Sequence, residues 1–246
     1  MPQVFAEAPM LIAPISPISS RAFWLPKLGN TEQEYEDAFG TGRFRFAVAD
    51  GATETSFAGP WARLLARAYC RNRLGADQIR LSLPRLQRQW ARSVGAKGPL
   101  PWYAEEKLRA GAYSTVVGLT LADKSWEAMA IGDSCLFQIR GDVVITSFPL
   151  SSAREFNNRP ALMSTNPENW DREMEHVSTA QGSWQETDEF YLMTDAAACW
   201  FIGATENGLR PSESLDLVTD VSEIQSLRQS GAMRNDDVTV LRVCPT

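Results

Sequence analysis

"FRFAVADGATETSFAGPWARLLARAYC", residues Phe44 to Cys70, changes its period in the middle. Phe44, Phe46 and Val48 alternate with Arg45, Ala47 and Ala49, the period of two that predicts a half-buried strand. Asp50-Gly51 closes the run, and small and hydroxyl residues follow it. Beyond them Pro60 suits a first helical turn. Trp61, Leu64, Leu65, Ala68 and Tyr69 then form one apolar face, with Arg63, Arg67, Arg71 and Arg73 largely off it. A strand, an acidic corner and a helix covering a sheet are therefore expected in succession. The corner is either an ordinary turn or one wall of a metal site.

Working outward, helical patterning continues roughly from Ala76 to Val94 and from Pro101 to Ala110. From Tyr113 the texture is that of strands: STVVGLTL, WEAMAIGDS, CLFQIR and VVITSF, joined by tight polar turns in the pattern of an antiparallel meander. The segment from Ser151 to Gln181, rich in Asn, Pro and Ser, reads as a surface excursion. EFYLMTD and DDVTVLRV read as two more strands around a helical stretch from about Pro211 to Gln229. Helices, a run of strands, a helix and a closing strand predict an α+β layered domain. No repeat or low-complexity linker divides the chain, so residues 1–246 are expected to form a single domain, with 1–20 as an N-terminal arm or lead-in strand.

With 246 residues, 44% of them hydrophobic, the chain can bury a full core without disulfides. A net charge of −6 argues against a surface built on phosphodiester backbones, so no nucleic-acid partner is expected. The arginines from Arg63 to Arg92 are read accordingly as a solvated helix face. Cys70, Cys135, Cys199 and Cys244 lie far apart and His176 is the single histidine, so no Cys/His metal spacing exists and reduced thiols are expected. The first twenty residues lack a basic start, and prolines break their apolar run, which does not suit a signal peptide. No segment is long and apolar enough to span a bilayer, so the expectation is a soluble, cytoplasmic protein without a membrane partner.

Several expected strands begin or end at an acid. Asp50 follows FRFAVA, Asp133 follows WEAMAIG, Asp195 follows EFYLMT, Asp236 precedes DVTVLRV, and Glu36-Asp37 precedes Ala38-Phe39. Any one of them alone reads as a turn residue. Together they can converge on one point with their backbones held by sheets, an arrangement that suits Mg²⁺ or Mn²⁺, which prefer oxygen ligands. Gly51 would let its carbonyl approach an ion closely. Two such ions about 4 Å apart can lower the pKa of a shared water and clamp phosphoryl oxygens.

Taken in order, YEDAF (Tyr35 to Phe39), FAVADGAT (Phe46 to Thr53), AIGDS (Ala130 to Ser134), FYLMTDAA (Phe190 to Ala197) and RNDDVTVLRV (Arg234 to Val243) resemble the successive motifs of the metal-dependent protein phosphatases, the PPM or type 2C family. The resemblance covers about residues 30 to 243. It implies a four-layer αββα sandwich of two antiparallel sheets flanked by helices, and hydrolysis of phosphoserine and phosphothreonine at a binuclear Mg²⁺ or Mn²⁺ centre. By motif, Asp50 would bridge both metals, Glu36 and the Gly51 carbonyl would bind one, and Asp195 and Asp236 the other. Asp37 would orient metal-bound water or the phosphate, and Asp133 would belong to a third site. A phosphoprotein would be the partner, with a Ser/Thr kinase as the opposing enzyme.

The departures from the family pattern are specific. Where an arginine usually grips the substrate phosphate, the chain has Glu32-Gln33-Glu34, leaving Arg21 or Lys27 as candidate replacements. Ala196 stands for a glycine and Cys199 for a third-metal acid, so the third ion is expected to be weak or absent. Ala52 excludes a histidine general acid after Asp50-Gly51, and equally the general acid that an aspartyl-phosphate mechanism on Asp50 would need. A cysteine phosphatase fails as well, since no cysteine is followed by a phosphate-cradling loop and arginine. The alternative is a pseudo-phosphatase that binds a phosphoprotein or regulatory partner without turnover.

Overall fold

The computed structural model describes residues 18–52, 57–95, 108, 111–157, 159–169 and 173–245. Within them, one five-stranded antiparallel sheet is built from β1 (Ile18–Leu25), β12 (Val238–Pro245), β11 (Asp188–Met193), β7 (Cys135–Arg140) and β8 (Val143–Phe148), in that order. A second has the order β10 (Ser178–Ser183), β6 (Ser125–Ile131), β5 (Val116–Ala122), β3 (Arg45–Ala49) and β2 (Ala38–Thr41). Two short strands, β4 (Tyr113–Ser114) and β9 (Met163–Ser164), pair separately. The helices are α1 (Ala58–Cys70), α2 (Ile79–Gly95), α3 (Asp195–Glu206), α4 (Pro211–Leu217) and α5 (Val221–Gln229).

Three apolar layers hold these elements together. Phe46, Val48, Leu119, Leu136, Phe190 and Leu241 fill the space between the two sheets. Trp61, Leu65 and Tyr69 of α1, with Leu83 and Trp90 of α2, cover the outer face of the β2–β3–β5–β6–β10 sheet. On the far side Phe201, Ile202, Leu215 and Ile224 cover Phe137, Tyr191, Met193 and Val240. Helix, sheet, sheet, helix is the αββα order expected from the motifs.

Five local expectations change. β3 is buried on both faces, because Phe46 and Val48 enter the inter-sheet layer while Ala47 and Ala49 lie under α1. The run from Tyr113 to Phe148 is no single meander: β5 and β6 pair in one sheet, β7 and β8 in the other. The crossing occurs at Gly132, whose φ of +95° and whose contact with Thr115, 2.6 Å from where a Cβ would stand, both demand glycine. The Ser151–Gln181 excursion ends in a strand, since Ser178–Ser183 pairs with β6 as a polar edge. Helix α3 starts at Asp195, directly after β11, although no helix was expected there. DAAACWFIGATE is apolar around much of its circumference and so carries little amphipathic period.

The stretch from Pro211 to Gln229 forms two helices instead of one. The helix expected over 101–110 lies outside the described residues except for Leu108, as does most of the N-terminal arm. All four cysteines are free thiols. No described helix is long and apolar enough to cross a membrane.

Phe137 and Phe201 pack edge to face at 4.7 Å across the β7–α3 layer, both fully buried. Phe137→Ala is expected to lower the unfolding free energy by about 3–5 kcal/mol, read from urea melts monitored by fluorescence.

Candidate functional site

Sheet register gathers the acids. Ala38 pairs with Ala49, Val48 with Val117 and Val116 with Ile131, so the residues just before β2, just after β3 and just after β6 share one end of their sheet. In the other sheet Met193 lies opposite both Cys135 and Val240, which brings the end of β11 and the starts of β7 and β12 to one edge. Asp37, Asp50, Asp133, Asp195 and Asp236 therefore occupy the same end of the sandwich, although up to about two hundred residues separate them in the chain.

Their proximity perturbs their electrostatics. Burial, and then the charges of Asp37, Asp195, Asp133 and Asp236, push the Asp50 carboxyl well above its ordinary range. Asp133 is pushed up to about 7 by burial and then by Asp195. Asp195 is also raised by burial, with Arg234 pulling it down and Asp236 pushing it up. For Asp37 the causes are burial and then Asp237, opposed by hydroxyl hydrogen bonds from Thr239 and Thr194.

Backbone and hydroxyl contacts fix Asp37 and the corners at Asp50 and Asp133. Thr115 N–H donates to the Asp50 carbonyl at 2.9 Å, Ala52 N–H donates to the Tyr113 carbonyl at 3.0 Å, and Gly51 bridges Ser114. The Thr115 and Ser134 hydroxyls meet at 2.6 Å, which ties the Asp50 corner to the Asp133 corner. The Thr239 hydroxyl donates to Asp37 Oδ2 at 2.7 Å and is itself in contact with the Tyr35 hydroxyl. Asp237 accepts the Lys27 and Glu36 N–H groups at 2.9 and 2.7 Å. Gly51 packs tightly on this framework: a Cβ there would lie 2.7 Å from the Glu36 carbonyl oxygen and 3.0 Å from Ala58.

Arg234 provides countercharge to the cluster. Its Nη1 stands 2.8 Å from Asp195 Oδ2 and 3.8 Å from Asp236 Oδ2. The other oxygen, Asp195 Oδ1, is buried without a hydrogen-bond partner. Among the described residues no three acid, cysteine or histidine side chains close into a ready-made metal cage. Like charges without a cation repel one another, and an orphaned oxygen beside other carboxylates is the donor that a hard divalent ion would engage. The all-oxygen set of Glu36, Asp50, the Gly51 carbonyl, Asp195 and Asp236 fits Mg²⁺ or Mn²⁺ in kind.

The two candidate phosphate cations fall in different places. Arg21 lies opposite Arg242 within β1, several residues along the strand from the acidic end. Lys27 follows β1 at that end and lines a pocket of about 380 Å³ with Tyr35, Glu36, Gly59 and Arg63. Arg63 had no place among the motifs; it reaches the pocket from α1. Glu34 caps its own turn, accepting the Thr31 N–H and hydroxyl at 2.9 Å each. Asp133 lines a groove of about 690 Å³ whose other walls include Glu155, Arg159 and the exposed His176 of the excursion. The hydroxyls of Thr115, Thr194 and Thr239 were also unassigned in the sequence, and the only signal was that Thr194 directly precedes Asp195 and Thr239 lies two residues after Asp237.

The protein-family profile described as Protein phosphatase 2C matches residues 31–238. Among solved structures, the chain superposes on PppA, described as a key regulatory component of T6SS in Pseudomonas aeruginosa, with a TM-score of 0.59 at 17% identity over 94% of this chain and 99% of that one. For the photosystem II phosphatase PBCP the values are 0.57 and 15%, over 93% and 99%. For the catalytic domain of the serine threonine protein phosphatase PstP in complex with two manganese ions they are 0.57 and 14%, over 93% and 98%. At such identities the likeness is one of fold. No curated protein gives a significant sequence match.

Removing the hydroxyl that holds Asp37 tests how rigidly that carboxylate is set. Thr239→Val should cost about 1–3 kcal/mol of stability while Thr239→Ser stays close to the parent, as measured by thermal or urea unfolding.

Proposed function

The chain belongs to the protein phosphatase 2C family, and on that premise we propose that it is a metal-dependent phosphatase acting on phosphoserine and phosphothreonine in proteins. The observation that carries this reading is the cluster of buried and part-buried carboxylates at one end of the sandwich, with Asp195 Oδ1 unpartnered and Arg234 bridging Asp195 and Asp236. Such a cluster is costly without a cation and has no evident packing purpose. Asp50, Glu36 and the Gly51 carbonyl would hold one Mg²⁺ or Mn²⁺, and Asp50, Asp195 and Asp236 the other, with Asp133 at a weaker third position. When bound, such ions lower the pKa of water and stabilise charge on phosphoryl oxygens.

The remaining work falls to the chain's own groups. Asp37, held by Thr239, is oriented to fix an attacking water or the phosphate. Lys27 and Arg63, in the pocket they share with Glu36, supply positive charge for the phosphate in place of the family's arginine. The partner is then a phosphoprotein whose kinase acts in opposition.

A second reading, a pseudo-phosphatase that binds without turnover, draws on Arg234, a protein cation already seated against two of the acids. The two readings separate on hydrolysis of p-nitrophenyl phosphate and of a phosphothreonine peptide. Manganese-dependent turnover that EDTA abolishes, and that falls by at least ~100-fold in Asp50→Ala and Asp195→Ala, supports the enzyme. Manganese binding with turnover no higher than in those variants supports the binding protein.

Arg234 should compete with divalent ions under either reading. Arg234→Gln is expected to tighten Mn²⁺ binding by about 10-fold in calorimetry, the order of one unit charge a few ångströms away at a half-exposed site. The same change should lower the melting temperature of the metal-free protein.

A further inference from the structure

Between α1 and α2 lies a groove of about 250 Å³ lined by Arg63, Arg67, Arg71 and Arg73, with Gln89 and Ser93. Residues 57–95 hold eight arginines, one acid and no lysine, a net of +7 in a chain of −6, which leaves −13 for all the rest. Arg63 and Arg67 are spaced by four on one stripe of α1, and Arg71, four further on, caps its C-terminus. Arg63 is pushed below its usual range by burial and then by the charge of Arg67.

A merely solvated helix face offsets such repulsion with acids three or four residues away. Here, among the described residues, none of the eight arginines is in an ion pair. Elsewhere four of the ten described arginines are ion-paired: Arg140 with Asp188, Arg210 with Glu213, Arg234 with Asp195 and Arg242 with Glu189. The groove also adjoins the acidic end of the sandwich, because Arg63 lines both it and the pocket holding Lys27 and Glu36.

We propose that this groove binds an acidic peptide segment flanking the phosphorylated residue of a protein substrate. The role of the phosphorylated residue rests on the phosphatase reading; the preference for acidic flanks does not. Guanidinium forks match carboxylates in bidentate geometry. Along α1, Arg67 and Arg71 lie about 6 and 12 Å beyond Arg63. An extended peptide advances about 3.3 Å per residue, so acids about two and four residues beyond the one at Arg63 would meet them. The charge of −13 over the rest of the molecule disfavours a nucleic acid, whose uniform charge would reach beyond the groove.

The test is fluorescence anisotropy at low salt, with EDTA present so that neither metal nor turnover contributes. The probes are a labelled phosphothreonine peptide with acids at the second and fourth positions to either side, its Asn/Gln counterpart, and a single-stranded twelve-nucleotide DNA. The acidic peptide should bind at least ~10-fold tighter than the neutral one. Arg67→Glu with Arg71→Glu should abolish that preference, and Arg67→Gln with Arg71→Gln should weaken it. Arg80→Glu with Arg85→Glu, an equal change of charge outside the groove, should leave it in place. Equal binding of the two peptides, equal loss in both charge-reversed pairs, or tighter binding of the DNA than of the acidic peptide would overturn the proposal. Failure of the phosphatase reading would show instead as absent manganese-dependent hydrolysis, with the anisotropy result intact.

Discussion

Buried carboxylates that repel one another set the terms for this molecule. Asp37, Asp50, Asp133 and Asp195 each have a pKa displaced upward, with burial first among the causes and neighbouring acids among the others. A flexible framework would relieve that repulsion by moving apart. The two sheets do not allow it, because each acid sits within two residues of a strand whose register is fixed by pairing, on both sides for the strands beside Asp50, Asp133 and Asp195 and through β3 for the edge strand β2 after Asp37. Stability stored in three apolar layers thus holds an end of the sandwich that is unfavourable on its own account.

Small polar contacts convert that rigidity into defined orientations. The Thr115 and Ser134 hydroxyls couple two acidic corners that come from different stretches of chain. Asp237 joins the segment after β1 to the segment before β2 through two backbone N–H groups. These groups hold the acids by hydrogen bonds rather than by countercharge. Countercharge in contact with the cluster comes from Arg234, half-exposed and therefore movable at modest cost, which is why it suits a place that a divalent ion could contest.

Charge is also divided at a larger scale. The acids converge at the open end of the sheets while the arginines concentrate on the α1–α2 layer, and Arg63 stands where the two regions meet. The Glu32–Glu34 turn, which replaces the arginine usual in the family, spends Glu34 on capping itself. Positive charge near Glu36 comes instead from Lys27 and from a helix over thirty residues further on.

The chain by itself determined the elements that bear acids and the order in which they come. Strand alternation ending at Asp50, Asp133 and Asp195, and beginning after Asp236, is local information, and so are the five motifs and the αββα class they imply. Other features depended on contacts between distant segments. The double burial of β3, the change of sheet at Gly132 and the pairing of Ser178–Ser183 each follow from what packs or pairs with the segment, which no local period encodes. The helix after Asp195 escaped because a helix covered on most sides loses its polar stripe. Arg63, Arg234 and the three threonine hydroxyls escaped for a related reason: a side chain acquires its role from the atoms it faces, and those atoms become neighbours only when the two sheets are stacked.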